Sequence, residues 1–287
     1  MKLSMLVVLF VGSVSSVVVS GQGSQDTFIH SVRTSGQDLE IGGDVPGMQR
    51  GFIRYKDLLT LPQSRILAKN DVNFKDGTRL SGVYLDTLMQ KVGLSPGKDL
   101  VSAMCADHYE AHYTIEYRHT HRPLLVLKID DKLPHEWSPG LAPYLISHES
   151  FIPSYRVLSH VDEAQVPYGV VRLEFHAQRK ALATIAPHGS FPTNAPQMFG
   201  YKIAQQNCLR CHNQGTLGGL KGHSSWSVLA QLAVKDPRYF AAYIASPLSE
   251  NPAAKMPAYS KYDEKTRQAL TAYFQTFMRK HGDTSPF

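Results

Sequence analysis

The feature that most constrains this chain of 287 residues is the run Cys208-Leu209-Arg210-Cys211-His212, a C-x-x-C-H pattern. Two thiols separated by two residues match the spacing of the two vinyl groups of a haem. The adjoining imidazole then comes to lie under the iron as its proximal ligand. A disulfide, half of a zinc site and a thioredoxin-like redox pair are the competing readings. A structural zinc site takes a second ligand pair that the sequence lacks. A thioredoxin-like pair belongs near a βαβ pattern, whereas Met198 to Gln206 reads as a short helix leading into the motif. The residues therefore predict one covalent haem c, held by Cys208 and Cys211 with His212 on the iron. For the sixth ligand, Lys255-Met256-Pro257 places a thioether beside a proline, in an irregular stretch after Pro247 and Pro252. Met/His ligation raises the potential and suits electron transfer. His223 and Met278 are alternatives to Met256, and an open distal position would make the haem a sensor or ligand-binding centre.

Hydrophobic residues make up 43% of the chain and charged residues 19%, which describes ordinary globular material long enough for two domains behind a targeting segment. Lys2 followed by the apolar runs Leu6 to Val11 and Val14 to Val19 reads as an export signal over residues 1–21, cleaved near Ser20 or Gly21. Gly12, Ser13, Ser15 and Ser16 interrupt the run and leave it marginal for crossing about 30 Å of hydrocarbon. A periplasmic or secreted product without a stable transmembrane anchor is expected. The net charge of +6 is carried by scattered Lys and Arg rather than by a basic run, so no nucleic-acid footprint is expected. The excess suits either general solubility or the steering of an acidic protein redox partner. The third cysteine, Cys105, is left over and reads as a small buried hydrophobe.

The organisation predicted is multidomain. Over residues 27–185 the chain reads as mixed α+β, with a helix over Gly82 to Val92 stopped by Gly93. Strands are expected at Leu100 to Met104, Tyr113 to Tyr117, Leu124 to Ile129 and Val170 to Phe175. Residues 186–197, with three prolines and a glycine, have the composition of a linker. Residues 198–281 read as all-α, ending in a helix whose Leu270, Tyr273, Phe274 and Phe277 form one apolar face.

The stretch from Met198 to Met278 resembles the cytochrome c superfamily. It has a helix, the C-x-x-C-H motif, a Gly-rich loop, a middle helix near Tyr239 to Ile244, the Lys255-Met256-Pro257 segment and a last helix. The resemblance implies that the first and last helices cross, with Gly200 or Tyr201 against Tyr273 and Phe274. One departure is that Gly215 to Leu220 lacks the proline whose turn usually fixes the proximal histidine, so the orientation of His212 is left open by the sequence.

The first domain, from Leu39 to Phe175, resembles the sulfite-oxidase-type molybdopterin-binding domain. The likeness rests on Arg79 to Leu88, Val92-Gly93-Leu94, Leu100 to Met104 and Asp107-His108-Tyr109. That family binds molybdenum through a cysteine upstream of the Gly82-Val83 helix, where residues Ile66 to Phe74 contain none. A displaced Cys105 is not an equivalent soft ligand, so a docking or scaffold domain without molybdopterin is expected. The alternative is a sulfite-oxidase-like dehydrogenase passing electrons from molybdenum to the fused haem. His108, His112, His119 and His121 cluster in sequence, but on a continuous strand His108 and His112 would stand about 13 Å apart. They read as surface or hydrogen-bonded histidines.

Overall fold

The computed structural model describes residues 27–278 apart from 46, 48, 95, 96, 139, 141, 150 and 152–159; the expected export signal over residues 1–21 lies outside the described residues. Alternating apolar residues in the first part build one mixed sheet. Its strands are β1 (Leu39–Gly43), β2 (Arg50–Ile53), β3 (Ser64–Leu67), β4 (Arg79–Tyr84), β5 (Leu100–Cys105), β6 (Glu110–Tyr113), β7 (Leu124–Ile129), β8 (Tyr144–Ser147) and β9 (Tyr168–His176). Their order is β2-β1-β9-β8-β7-β4-β3, with β5 paired to β9 and β6 paired to β5. The β1–β9 pair is parallel and the other pairs are antiparallel. On β7, Leu125 and Leu127 enter one core with Val83, Leu88, Val101, Tyr113 and Phe175. Leu124, Val126 and Ile129 enter the opposite core with Ile66, Phe74, Leu80 and Leu145. Residues 124–127 keep the period-two alternation of a sheet covered on both faces, and Ile129 falls on the Leu124 side because the β4–β7 register slips at Leu127.

Short helices α1 (Tyr55–Leu58), α2 (Leu85–Val92), α3 (Ile115–His121), α4 (Pro134–Trp137) and α5 (Gln178–Ala183) accompany the sheet. The mixed α+β character expected for residues 27–185 is therefore present, with two local differences. The helix expected from Gly82 begins at Leu85, and residues 82–84 stay in β4. A Cβ on Gly82 would lie 1.9 Å from the Leu125 carbonyl oxygen, and the register shifts between Ser81 and Gly82. This glycine marks an irregular, close strand approach rather than a helix start. The strand expected over Tyr113 to Tyr117 ends at Tyr113, because Thr114 caps α3 by accepting the Tyr117 N–H at 3.2 Å.

From Pro196 onward the described chain is helical: α6 (Pro196–Asn207), α7 (Trp226–Lys235), α8 (Pro237–Ala245), α9 (Pro247–Glu250) and α10 (Glu264–Gln275), with 3₁₀ turns over Cys208–Arg210 and Thr276–Met278. Pro196 occupies the first turn of α6, where its missing N–H costs nothing, so the helix takes the last two residues of the expected linker. The helix α7 was not anticipated. Its Trp226, Ala230 and Ala233 are fully buried with Ile203, Leu209, Phe240, Tyr273 and Phe274. Leu100, Leu182 and Ile185 also enter this core from the sheet side. At Gly200, α6 and α10 meet so closely that a Cβ would lie 2.0 Å from the Ala269 carbonyl oxygen and 2.6 Å from Tyr273 Cβ. The Tyr201 and Tyr273 rings lie 5.8 Å apart beside this contact. Among the described residues no helix is long and apolar enough to cross a membrane.

Candidate cofactor-attachment site

The C-terminal end of α6 runs directly into the 3₁₀ turn, and the amides of Cys211 and His212 both bond the Cys208 carbonyl, at 3.1 and 2.9 Å. This turn gathers Cys208, Cys211 and His212 within a single coil of backbone. Neither cysteine is in a disulfide. Burial, followed by the neighbouring Cys211, pushes the Cys208 thiol up to about 12, and burial likewise raises Cys211. Both are protonated thiols at neutral pH, unlike the low-pKa thiolates of redox-active C-x-x-C pairs. Among the described residues no group of three or more His, Cys, Asp or Glu is placed to hold a metal ion.

The orientation of His212 that the sequence left open is supplied by a backbone group. The Ser224 carbonyl lies 2.6 Å from His212 Nδ1. A carbonyl only accepts, so Nδ1 carries the proton and Nε2 keeps a free lone pair. Burial lowers the pKa of the ring against the opposing effect of this bond, which favours the neutral imidazole that a metal needs. The loop from residue 213 to 226 folds back over the motif. Gly219 N–H bonds Leu209 O at 2.9 Å, Gly222 N–H bonds Cys211 O at 2.7 Å, and Trp226 N–H bonds Asn213 O at 2.8 Å. The glycines are there for lack of room. A Cβ on Gly222 would lie 2.6 Å from His212 Cε1, and one on Gly218, with φ of +99°, would lie 2.6 Å from His212 O.

Of the three side chains considered for the sixth ligand, Met256 is half-buried against the helical core, as Cys208 and Tyr259 are. His223 is exposed, and Met278 is 49% exposed beyond α10.

The sheet forms one wall around the motif, which the sequence did not reveal. The Leu220 N–H bonds His108 O at 3.0 Å, and Lys221 Nζ pairs with Asp107 Oδ2 at 2.5 Å. Arg210 Nη2 donates to Ala164 O at 2.9 Å, and Gln165 Nε2 donates to both the backbone and side-chain oxygens of Gln206. The signal lay in Asp107-His108-Tyr109, singled out for a different reason.

The remaining residues of interest lie apart. Cys105 is buried at the end of β5, and burial followed by Asp107 pushes its thiol up to about 12, so it is a neutral, small core group. His108 sits in the turn before β6 with φ of +68°. His112 is buried on β6, with Nε2 2.8 Å from Glu110 Oε1. His121 lies on α3 with Nε2 2.8 Å from Asp162 Oδ1, and His119 is on the same helix. Two residues apart on a helix, His119 and His121 point to different sides of α3.

No family model matches the chain, and no curated protein is similar to it. Among solved structures, the sulfane dehydrogenase SoxCD from Paracoccus pantotrophus is a distant neighbour, with 16% identity and a TM-score of 0.33. The likeness covers 51% of this chain and 40% of that one, so this chain spans well under two thirds of the neighbour's length.

Proposed function

We propose that this chain is an exported c-type cytochrome that transfers single electrons through one covalently attached haem, with the sheet serving as a docking or scaffold unit. The observation that carries the reading is the pair of unbridged cysteines one turn from an imidazole whose Nδ1 is held by the Ser224 carbonyl. Bound haem supplies a one-electron iron couple. Cys208 and Cys211 would hold it, His212 would offer Nε2 to the iron, and Met256 is the side chain proposed as the second ligand from the protein. The buried aromatic core of Trp226, Phe240, Tyr273 and Phe274 keeps the neighbourhood of the motif apolar.

The charge distribution supports a protein partner. Residues 198–287 contain eleven Lys and Arg against five Asp and Glu, which accounts for the whole +6 of the chain. An acidic protein that exchanges electrons is the partner this asymmetry would steer.

A pyridine haemochrome spectrum of the matured protein tests the reading, because it reports haem type and thioether count together. Two thioether links are expected, with iron and without molybdenum by metal analysis. Stoichiometric molybdenum, or no haem in protein made under cytochrome c maturation, would refute it. Met256→Ala is expected to lower the potential and alter the spectrum of the oxidised protein. An unchanged potential would remove Met256 from the iron.

A further inference from the structure

The segment from His160 to Gln165 belongs to no helix or strand, yet it is bonded on two sides. Toward the sheet, the Gln165 N–H donates to Tyr117 Oη at 2.7 Å, the Tyr113 hydroxyl donates to Gln165 O at 2.8 Å, and Asp162 Oδ1 lies 2.8 Å from His121 Nε2. Toward the helices it meets the attachment turn at three residues. Gln165 Nε2 donates to Gln206 O at 2.9 Å and to Gln206 Oε1 at 2.7 Å, Asn207 Nδ2 donates to His160 O at 3.3 Å, and Arg210 Nη2 donates to Ala164 O at 2.9 Å. A backbone carbonyl only accepts, so the Gln165 amide must turn its nitrogen to Gln206. That orientation leaves Gln165 Oε1 buried without a partner, in a residue 1% exposed. An unpaired buried acceptor is costly. What it secures is the end of α6, the last turn, where carbonyls run out of helical donors. The same segment reaches the stretch after Met256. The His160 ring packs on Tyr262 with centroids 4.4 Å apart, Tyr262 packs on Tyr259 at 4.9 Å, and Tyr259 and Met256 both pack against the helical core.

We infer that residues 160–165 are a clamp that sets the spacing between the attachment turn and the segment carrying Met256, with Gln165 as its positioning residue. The clamp deepens the haem reading above and rests on it. An iron shared by His212 and Met256 takes both ligands only when the two segments stand a fixed distance apart. A thioether is a weak, neutral ligand, and it gives way first when they do not. Gln165 is bonded through its backbone to β6 and α3 and through its side chain to α6, so the sheet reaches the attachment turn through one residue. Because the amide is neutral, its removal alters geometry and leaves the charge of the site as it was.

The test uses the full-length, haem-loaded protein, read by potentiometric titration and by the weak red absorption band of oxidised, methionine-ligated haem. Gln165→Met keeps the size and neutrality of the side chain and removes both donors. It is expected to keep both covalent haem links, to weaken or lose the red band, and to lower the midpoint potential toward that of Met256→Ala, since methionine ligation raises it. Gln63→Met is the comparison, because Gln63 Nε2 likewise donates twice, to Leu58 O and Leu61 O, but in the turn between α1 and β3. It is expected to leave band and potential unchanged. A Gln165→Met protein with full haem content and an unaltered band and potential would overturn the inference, and so would an equal loss in Gln63→Met. Hydrogen exchange on the unmutated protein gives a second test, independent of how any variant folds. The Gln165 amide, outside any helix or strand but donated to Tyr117, is expected to be protected, and exchange at the rate of an open loop would equally overturn the clamp. If Met256→Ala itself leaves band and potential unchanged, the ligand reading beneath fails and takes the clamp with it, and that variant tells the two failures apart.

Discussion

Gly200→Ala sets two effects of opposite sign against each other. In an exposed helix interior the change stabilises by about 1 kcal/mol, because alanine restricts the unfolded chain and favours helix. At position 200 the new Cβ would lie 2.0 Å from Ala269 O, 2.6 Å from Ala269 C and 2.6 Å from Tyr273 Cβ. Two of these atoms are helix backbone, which has no rotamer with which to give way. Ordinary contact requires separations near 3.5 Å, so α10 must retreat from α6 by roughly 1.5 Å. That retreat loosens Ile203, Ala204, Leu270, Tyr273 and Phe274, all fully buried in the same core. Overpacking commonly costs about 1–3 kcal/mol, and an immovable backbone contact belongs at the upper end of that range. Net of propensity, the variant should lose about 2 kcal/mol. Urea unfolding followed by far-UV circular dichroism measures it. An unchanged or raised midpoint would mean that propensity wins, and that α6 and α10 do not approach as closely as the structure has them.

Three further outcomes follow from the same geometry. Gly222→Ala would press on the His212 ring and push it off the Ser224 carbonyl, so the matured protein should show a changed visible spectrum. Ser224→Ala, which leaves that carbonyl in place, should not, and equal spectra from both would contradict this account. The Tyr273 hydroxyl donates to Ile185 O and accepts from Trp226 Nε1. Tyr273→Phe therefore orphans two buried groups and should cost about 2–3 kcal/mol in urea unfolding; a loss under about 0.5 kcal/mol would count against these bonds. Burial, and then His121, lowers His148 from 6.5 to about 3, so below pH 6.5 the unfolded chain takes up a proton that the native state refuses. Stability is complete above pH 6.5 and falls toward pH 3, with about 3 kcal/mol lost by pH 4 from this group alone. His148→Gln should flatten that acid slope, and an unaltered slope would show that His148 is not its source.

What the sequence revealed and what it hid divide along a physical line. The turn that gathers Cys208, Cys211 and His212 was legible because its pattern is confined to five consecutive residues. The last helix was legible because Leu270, Tyr273 and Phe274 repeat at helical spacing along a single segment. The helix α7 escaped because its flanking Gly-rich run reads as loop. Strands such as β8 escaped because four residues, Tyr144–Ser147, are too few for periodicity to declare itself. The rest of the site is made of contacts that leave no trace in residue identity. Ser224 acts through its carbonyl and His108 through its carbonyl, as any residue in those places would. Gly218, Gly219 and Gly222 were visible as composition, yet the reason for them, no space for a Cβ beside His212 and Arg210, exists only once the loop is folded. The absence of a proline from Gly215 to Leu220 is met in the same terms. What orients the His212 ring is an acceptor at Nδ1, and the Ser224 carbonyl, held by the glycine loop, supplies it with no side chain dedicated to it. Glu110 is the exception. Its side chain is buried where a charge is costly, and His112, two residues on along the same strand, answers it at 2.8 Å. What joins the sheet to the glycine loop is again backbone, the Leu220 N–H on His108 O at 3.0 Å, with the Lys221–Asp107 pair beside it.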